Sequence, residues 1–253
     1  IVKFVTDVLP ITNESSVLDT SCGSGGFLLY SLDKVRKQAS ELYPNYKNDI
    51  RQNQRHYKHW HDFAEKKLYG IEINEQISRA AKMNMIIHDD GHTNVITADG
   101  LLSPEKLEEI TKNRGFQYNS FDFIVTNPPF GSIVRQTEKA YMREYKLGKK
   151  EDDWLAVITK PETQRDNQNT EILFIEQAYL FLKEGGYLGI VIPDGILTNS
   201  SLQYVRNQIE DWFRIVAVVS MPQTAFMSTG AGVKSSVIFL KKWTKAESEK
   251  III

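Results

Sequence analysis

Val17-Leu18-Asp19-Thr20-Ser21-Cys22-Gly23-Ser24-Gly25-Gly26-Phe27 decides the fold class of this chain. Two apolar residues and an acid read as a short strand. The glycine-rich turn after them runs straight into an amphipathic helical pattern over 25–38. Glycines in such a turn let the backbone come close to a ligand, and amides at the start of the next helix face it. Working outward, strand and helix patterns alternate. Strands are expected at 17–19, 67–72, 93–97, 121–126, 187–193, 214–220 and 234–241, and helices at 25–38, 75–88, 171–184 and 201–212. That order implies an α/β fold with a mostly parallel sheet flanked by helices. Lys183-Glu184-Gly185-Gly186 reads as a helix stop with a left-handed glycine, and Pro193-Asp194-Gly195 as a strand-ending turn. Two stretches break the alternation. Residues 33–66 are polar and helical, longer than a plain crossover, and 131–169 shows no clear strand, the mark of a functional or mobile loop.

The bulk numbers narrow the function classes. At 253 residues, with 41% hydrophobic and 25% charged residues, the chain has the composition of a soluble globular protein with ample core. The sequence contains no run of membrane-span length and no signal pattern. One cysteine excludes an internal disulfide and fits a reducing, cytoplasmic setting. A net charge of −1 is unlike a protein that grips duplex DNA alone, so a nucleic-acid substrate requires local basic patches or a partner. The chain starts at Ile1 and ends in three isoleucines, and reads as a fragment of a longer protein.

The turn after the first strand has three readings, a dinucleotide site, a nucleoside-sulfonium site and a plain tight strand–helix turn. Leu28 stands where a dinucleotide fingerprint wants a third small residue, and Glu72 lies far beyond the roughly 20-residue spacing to its acid. Both departures weigh against NAD. S-adenosyl-L-methionine has no pyrophosphate, so the turn need only admit its methionine and ribose parts. Glu72, ending the second strand, offers acceptors for both ribose hydroxyls, and Asp99 ends the third, where an acid can accept from an adenine amine. The cofactor candidates are therefore Asp19, Ser21, Gly23, Gly25, Gly26, Phe27, Glu72, Ile73, Asp99, Gly100 and Asn127. Cys22 has no visible activating partner and reads as a small packing residue.

Asn127-Pro128-Pro129-Phe130 follows the apolar run 121–126 and projects a carboxamide and an aromatic ring from a stiff turn. The amine of adenine is a weak nucleophile because its lone pair is delocalised into the ring. Acceptors for both of its N–H groups favour a pyramidal nitrogen. The side-chain oxygen of Asn127 and the carbonyl of Pro128 are the candidates, with Phe130 as a stacking surface for an extruded base. Asn127, Pro128 and Phe130 are thus the expected catalytic group. The competing reading is a plain Asn-Pro turn with a core phenylalanine.

With both motifs in order on strand ends, the chain resembles the N6-adenine DNA methyltransferases, and within them the methylation subunit of type I restriction–modification systems. The residues carrying the resemblance are 19–27, 127–130, Pro193-Asp194-Gly195-Ile196-Leu197 and 232–240, spanning nearly the whole chain. The resemblance implies a Rossmann-like S-adenosylmethionine-dependent methyltransferase fold, with a seven-stranded sheet and an antiparallel last strand. It implies that Gly23 and Gly25 line the cofactor, that Glu72 binds ribose and that Asp99 meets the cofactor's adenine. The whole of 1–253 is expected to be one catalytic domain, with a helical N-terminal domain and a C-terminal tail lying outside it. Expected partners are DNA, a specificity subunit that reads the target, a restriction subunit and a second copy of the chain. Alternatives are an RNA-adenine or protein-glutamine methyltransferase using the same turn, and a non-catalytic assembly subunit.

Two patches remain. Arg135, Lys139 and Arg143, with Tyr141 and Tyr145 interleaved, are candidates for contacting phosphates beside the catalytic turn; a solvated helical face is the alternative. His56, His59 and His61 lack a cysteine partner or a His-Glu motif, so a charged helix surface or a subunit contact is expected and no metal site.

Overall fold

The computed structural model describes residues 1–88, 94–135, 140–150, 164–224 and 233–251. In chain order its elements are α1 (Val2–Val8), β1 (Val17–Asp19), α2 (Gly26–Leu42), α3 (Ile50–Lys67), β2 (Leu68–Glu72), α4 (Glu75–Ile87), β3 (Val95–Thr97), α5 (Pro104–Thr111), β4 (Phe121–Thr126), β5 (Ile133–Arg135), β6 (Asn167–Asn169), α6 (Thr170–Phe181), β7 (Leu182–Pro193), α7 (Asp194–Thr198), α8 (Gln203–Trp212), β8 (Phe213–Ser220), β9 (Ser235–Lys242) and α9 (Lys245–Ile251). Seven strands form one sheet in the order β3-β2-β1-β4-β7-β9-β8. Strands β3, β2, β1, β4 and β7 run parallel, while β9 pairs antiparallel with both β7 and β8. This is the expected mostly parallel sheet with an antiparallel last strand.

Successive residues of the central strands feed two cores. Leu18 and Ile124 pack with Phe116, Phe181 and Ile209 on the face covered by α5, α6 and α8. Val17 and Val125 pack with Val5, Leu28 and Phe63 on the face covered by α1, α2 and α3. Strands buried on both faces read as continuous apolar runs, which is why 121–126 stood out in the sequence.

Local chemistry sets the element ends. The Asn74 side chain accepts from the amides of Gln76 and Ile77 and starts α4, and Pro104 opens α5. The expected helix stop at 183–186 falls elsewhere. Helix α6 ends at Phe181, and Lys183-Glu184-Gly185-Gly186 forms an irregularity inside β7, between the Phe121↔Leu182 and Phe123↔Tyr187 pairs. Gly185 does take the left-handed conformation, at φ 76°, but to turn a strand rather than cap a helix. Within 131–169 two three-residue strands, β5 and β6, pair antiparallel; runs that short carry no readable period. Residue 93, expected to begin a strand, lies outside the described residues.

The histidines of α3 are spent on ring packing. His56 stacks on Tyr46 with centroids 3.9 Å apart, and His61 on Tyr57 at 4.7 Å. His61, Asp62 and Glu65 offer ligand atoms within 4.8 Å of one another, but the Lys66 ammonium already sits 2.8 Å from Asp62. Among the described residues no helix is long and apolar enough to cross a membrane.

Candidate active site

Pairing of β1 with β4 brings the two sequence motifs side by side. Val17 is in register with Phe123 and Leu18 with Ile124, so both strands end at the same level. Beyond the ends, the Thr126 hydroxyl lies 2.8 Å from Ser21 Oγ and 3.1 Å from Thr20 Oγ1. On the other side of β1, the Gly23 amide donates to Glu72 Oε2 at 3.0 Å. The next strand, β3, pairs Thr97 with Glu72, and Asp99 and Gly100 follow in the turn after it. Together these strand ends line a cavity of ≈ 540 Å³. Its wall includes Ser21, Gly23, Glu72, Ile73, Asp99, Gly100 and Asn127, so seven residues expected from the sequence meet there.

Other candidates point elsewhere. Gly25, at φ 90°, caps α2, and a side chain there would face Ala81 and Met85 of α4. A side chain at Gly26 would face Val2, and Phe27 is buried in the core. Asp19 is 1% exposed behind the turn. Its Oδ1 accepts from the Ser21 amide at 3.0 Å, and Oδ2 is buried. Burial, with the Glu72 carboxylate nearby, pushes its pKa up to about 7. Cys22 is buried against Gly70, and burial with the Asp19 and Glu72 charges holds its thiol far above the usual range. A thiol so poorly ionised suits packing, not nucleophilic attack.

The turn after β4 is held from outside its own sequence. Asn127 and Pro129 line the cavity, Pro128 is buried, and Phe130 is half-buried against the core that contains Val125. The Thr170 hydroxyl lies 3.0 Å from the Pro129 carbonyl and 3.1 Å from the Ser132 carbonyl and shares its one hydrogen between them, and the Thr170 amide donates to the Ser132 carbonyl at 3.0 Å. Glu171, 4% exposed, accepts from the amide of Gly131 at 3.3 Å. Gly131 is left-handed at φ 71°, which lets the chain double back onto α6. Sequence reasoning missed Thr170 and Glu171, and the only signal for them is a polar pair at a helix start.

The far end of the cavity is built around Asp99. Its Oδ1 accepts from the Leu101 amide at 3.0 Å and its Oδ2 from the Tyr141 hydroxyl at 2.8 Å. Burial and the Asp99 charge keep the Tyr141 phenol well above its usual pKa, so it acts as a donor. Gly100 tolerates no side chain, because a Cβ would be driven into the Thr20 carbonyl and the Phe174 ring. Arg135 and Arg143 are exposed, each flanking a buried residue (Val134, Met142) of one small cluster. Lys139 lies outside the described residues.

The wall fits a nucleoside with an amino-acid tail. Acceptors stand at two neighbouring strand ends, Ile73 and Phe174 supply apolar surface between polar groups, and the left-handed Gly23 leaves open space where a side chain would project. Glu72 already accepts from the amides of Gly23 and Asn74, which fixes its carboxylate with acceptor positions to spare.

Comparison with known proteins agrees with this geometry. The family described as N-6 DNA Methylase matches residues 1–253. The Type II restriction enzyme and methyltransferase RM.BcgI of Heyndrickxia coagulans is 24% identical over 252 residues, covering 99% of this chain and 31% of that protein. The Type I restriction enzyme MpnII methylase subunit of Mycoplasma pneumoniae is 28% identical over 229 residues, 89% of this chain and 35% of that one. Among solved structures, the EcoKI M protein superposes with a TM-score of 0.65 at 21% identity, covering 98% of this chain and 44% of that chain. The fold is that of S-adenosylmethionine-dependent methyltransferases. The chain spans about a third of the length of the curated relatives named here. It belongs to the N-6 DNA methylase family.

Proposed function

We propose that this chain transfers a methyl group from S-adenosyl-L-methionine to the exocyclic amine of adenine in DNA. We further propose that 1–253 is the catalytic domain of the modification subunit of a type I restriction–modification system. The observation that carries the reading is the single cavity shared by Glu72, Asp99 and Asn127, with the hydroxyl contact between Ser21 and Thr126 joining its two halves. When bound, the cofactor supplies a sulfonium methyl that needs no further activation. The chain's own residues then bind, orient and desolvate. Glu72 accepts from ribose, Asp99 from the purine amine, and Asn127 from the amine to be methylated. Thr170 and Glu171 keep the turn still, and in-line positioning is where most of the rate arises.

Family membership and likeness to methylase subunits support DNA as the substrate. A net charge of −1 supports sequence reading by a separate specificity subunit, with a restriction subunit and a second copy as further partners. Arg135 and Arg143 are proposed phosphate contacts on the rim.

The test is labelled-methyl transfer to adenine in DNA, with a specificity subunit present. Asn127→Ala is expected to lower transfer at least about a hundredfold, the scale for removing one reacting-centre hydrogen bond, while cofactor affinity is retained. Transfer at the unmodified rate in Asn127→Ala would overturn the assignment.

A further inference from the structure

The segment after the catalytic turn reaches back to the opposite end of the cavity. Met142 and Tyr145 are buried with Leu101, Val134, Leu173 and Phe174 in a small cluster of their own. Buried polar bonds pin this segment to the turn that follows β3. The Tyr145 hydroxyl lies 2.7 Å from the Leu101 carbonyl and 2.8 Å from Gln177 Oε1, and Gln177 Nε2 donates to the carbonyls of Gly100 and Leu102. Glu176 accepts from the amides of Lys146 and Leu147 at 2.7 and 2.8 Å. The result is that Tyr141 stands half-buried on the cavity wall with its hydroxyl on Asp99 Oδ2.

A carboxylate bonded at both oxygens cannot turn. Leu101 holds Oδ1 and Tyr141 holds Oδ2, so the Asp99 carboxylate is fixed in one orientation on the cavity wall. An acceptor oriented in advance loses little freedom when a ligand donates to it, and it penalises a ligand that has no N–H to offer.

We propose that Tyr141 is a positioning residue that makes the pocket selective for an amino-bearing purine, by holding the Asp99 carboxylate as an oriented acceptor for that amine. The proposal rests on the S-adenosyl-L-methionine reading above. It means that the segment leaving the catalytic turn also selects the base of the cofactor.

Calorimetric titration of the full chain tests it with S-adenosylhomocysteine and its 6-deamino analogue, in which hydrogen replaces the amino group. The unmodified protein is expected to prefer the amine about tenfold or more, the scale of one hydrogen bond to a charged group. Tyr141→Phe keeps the ring and removes the hydroxyl. It is expected to weaken the amine-bearing ligand about tenfold and to bring the preference below about threefold. Tyr145→Phe, whose lost hydroxyl bonds Leu101 and Gln177 instead, is expected to weaken both ligands equally and to keep the preference. A Tyr141→Phe protein that weakens both ligands alike, or neither, overturns the proposal. Failure of the unmodified protein to bind S-adenosylhomocysteine overturns the cofactor reading itself, and this proposal with it.

Discussion

The hydroxyls of Ser21 and Thr126 lie 2.8 Å apart although 105 positions separate them in the chain. Thr126 is fully buried and also meets the Thr20 hydroxyl, so one side chain joins the turn after β1 to the turn after β4. The cavity depends on that joint, because Ser21 and Asn127 stand on its two sides.

Thr126→Val keeps the shape and removes the joint. Two hydroxyls lose a partner in a buried setting, a cost of about 1–3 kcal/mol. A drop in denaturant midpoint of that size is expected, with weaker S-adenosyl-L-methionine binding. Stability and affinity both matching the unmodified chain would show the contact to be idle.

The buried acid behind the turn makes stability depend on pH. The pKa of Asp19 rises from 3.8 to about 7 on folding, so between those values the folded state holds a proton that the unfolded state has lost. Its contribution is therefore complete below pH 3.8 and is lost as pH rises through about 7. Asp19→Asn removes the titration. The stability of the unmodified protein relative to this variant is expected to decline across that window when followed by chemical denaturation. A constant difference from pH 4 to pH 8 would refute it.

Thr170→Val releases the Pro129 carbonyl, while the backbone amide of residue 170 still holds the Ser132 carbonyl, and the reacting groups are unaltered. Loosened geometry at a reacting centre costs about 10–100-fold in turnover. The expected pattern is a fall in kcat of that order, with cofactor affinity unchanged within about twofold. Single-turnover transfer on DNA, set against equilibrium binding, separates the two effects.

Much of the architecture was legible because it is written in local pattern. Continuous apolar runs marked the buried central strands, and Gly23 and Asn127 marked their exits. The residues expected on the cavity that are found there, such as Glu72, Ile73 and Asp99, all sit at strand ends, where position in the element dictates position in space. The strands β5 and β6 escaped notice because three residues are too few to show alternation.

What the amino-acid sequence by itself determined is the class of fold, the strand ends that carry the chemistry, and the acids and carboxamide placed there. These follow from periods of two and 3.6 residues and from glycine turns, which short stretches of chain encode. Only the tertiary structure decided which way each group points and what holds it. Gly26 faces Val2 of α1 and Phe27 is buried in the core, both away from the cavity. Tyr141 meets Asp99 across 42 positions and Thr170 meets Pro129 across 41. Such meetings depend on strand register and helix packing summed over the whole core, and no local pattern contains that sum.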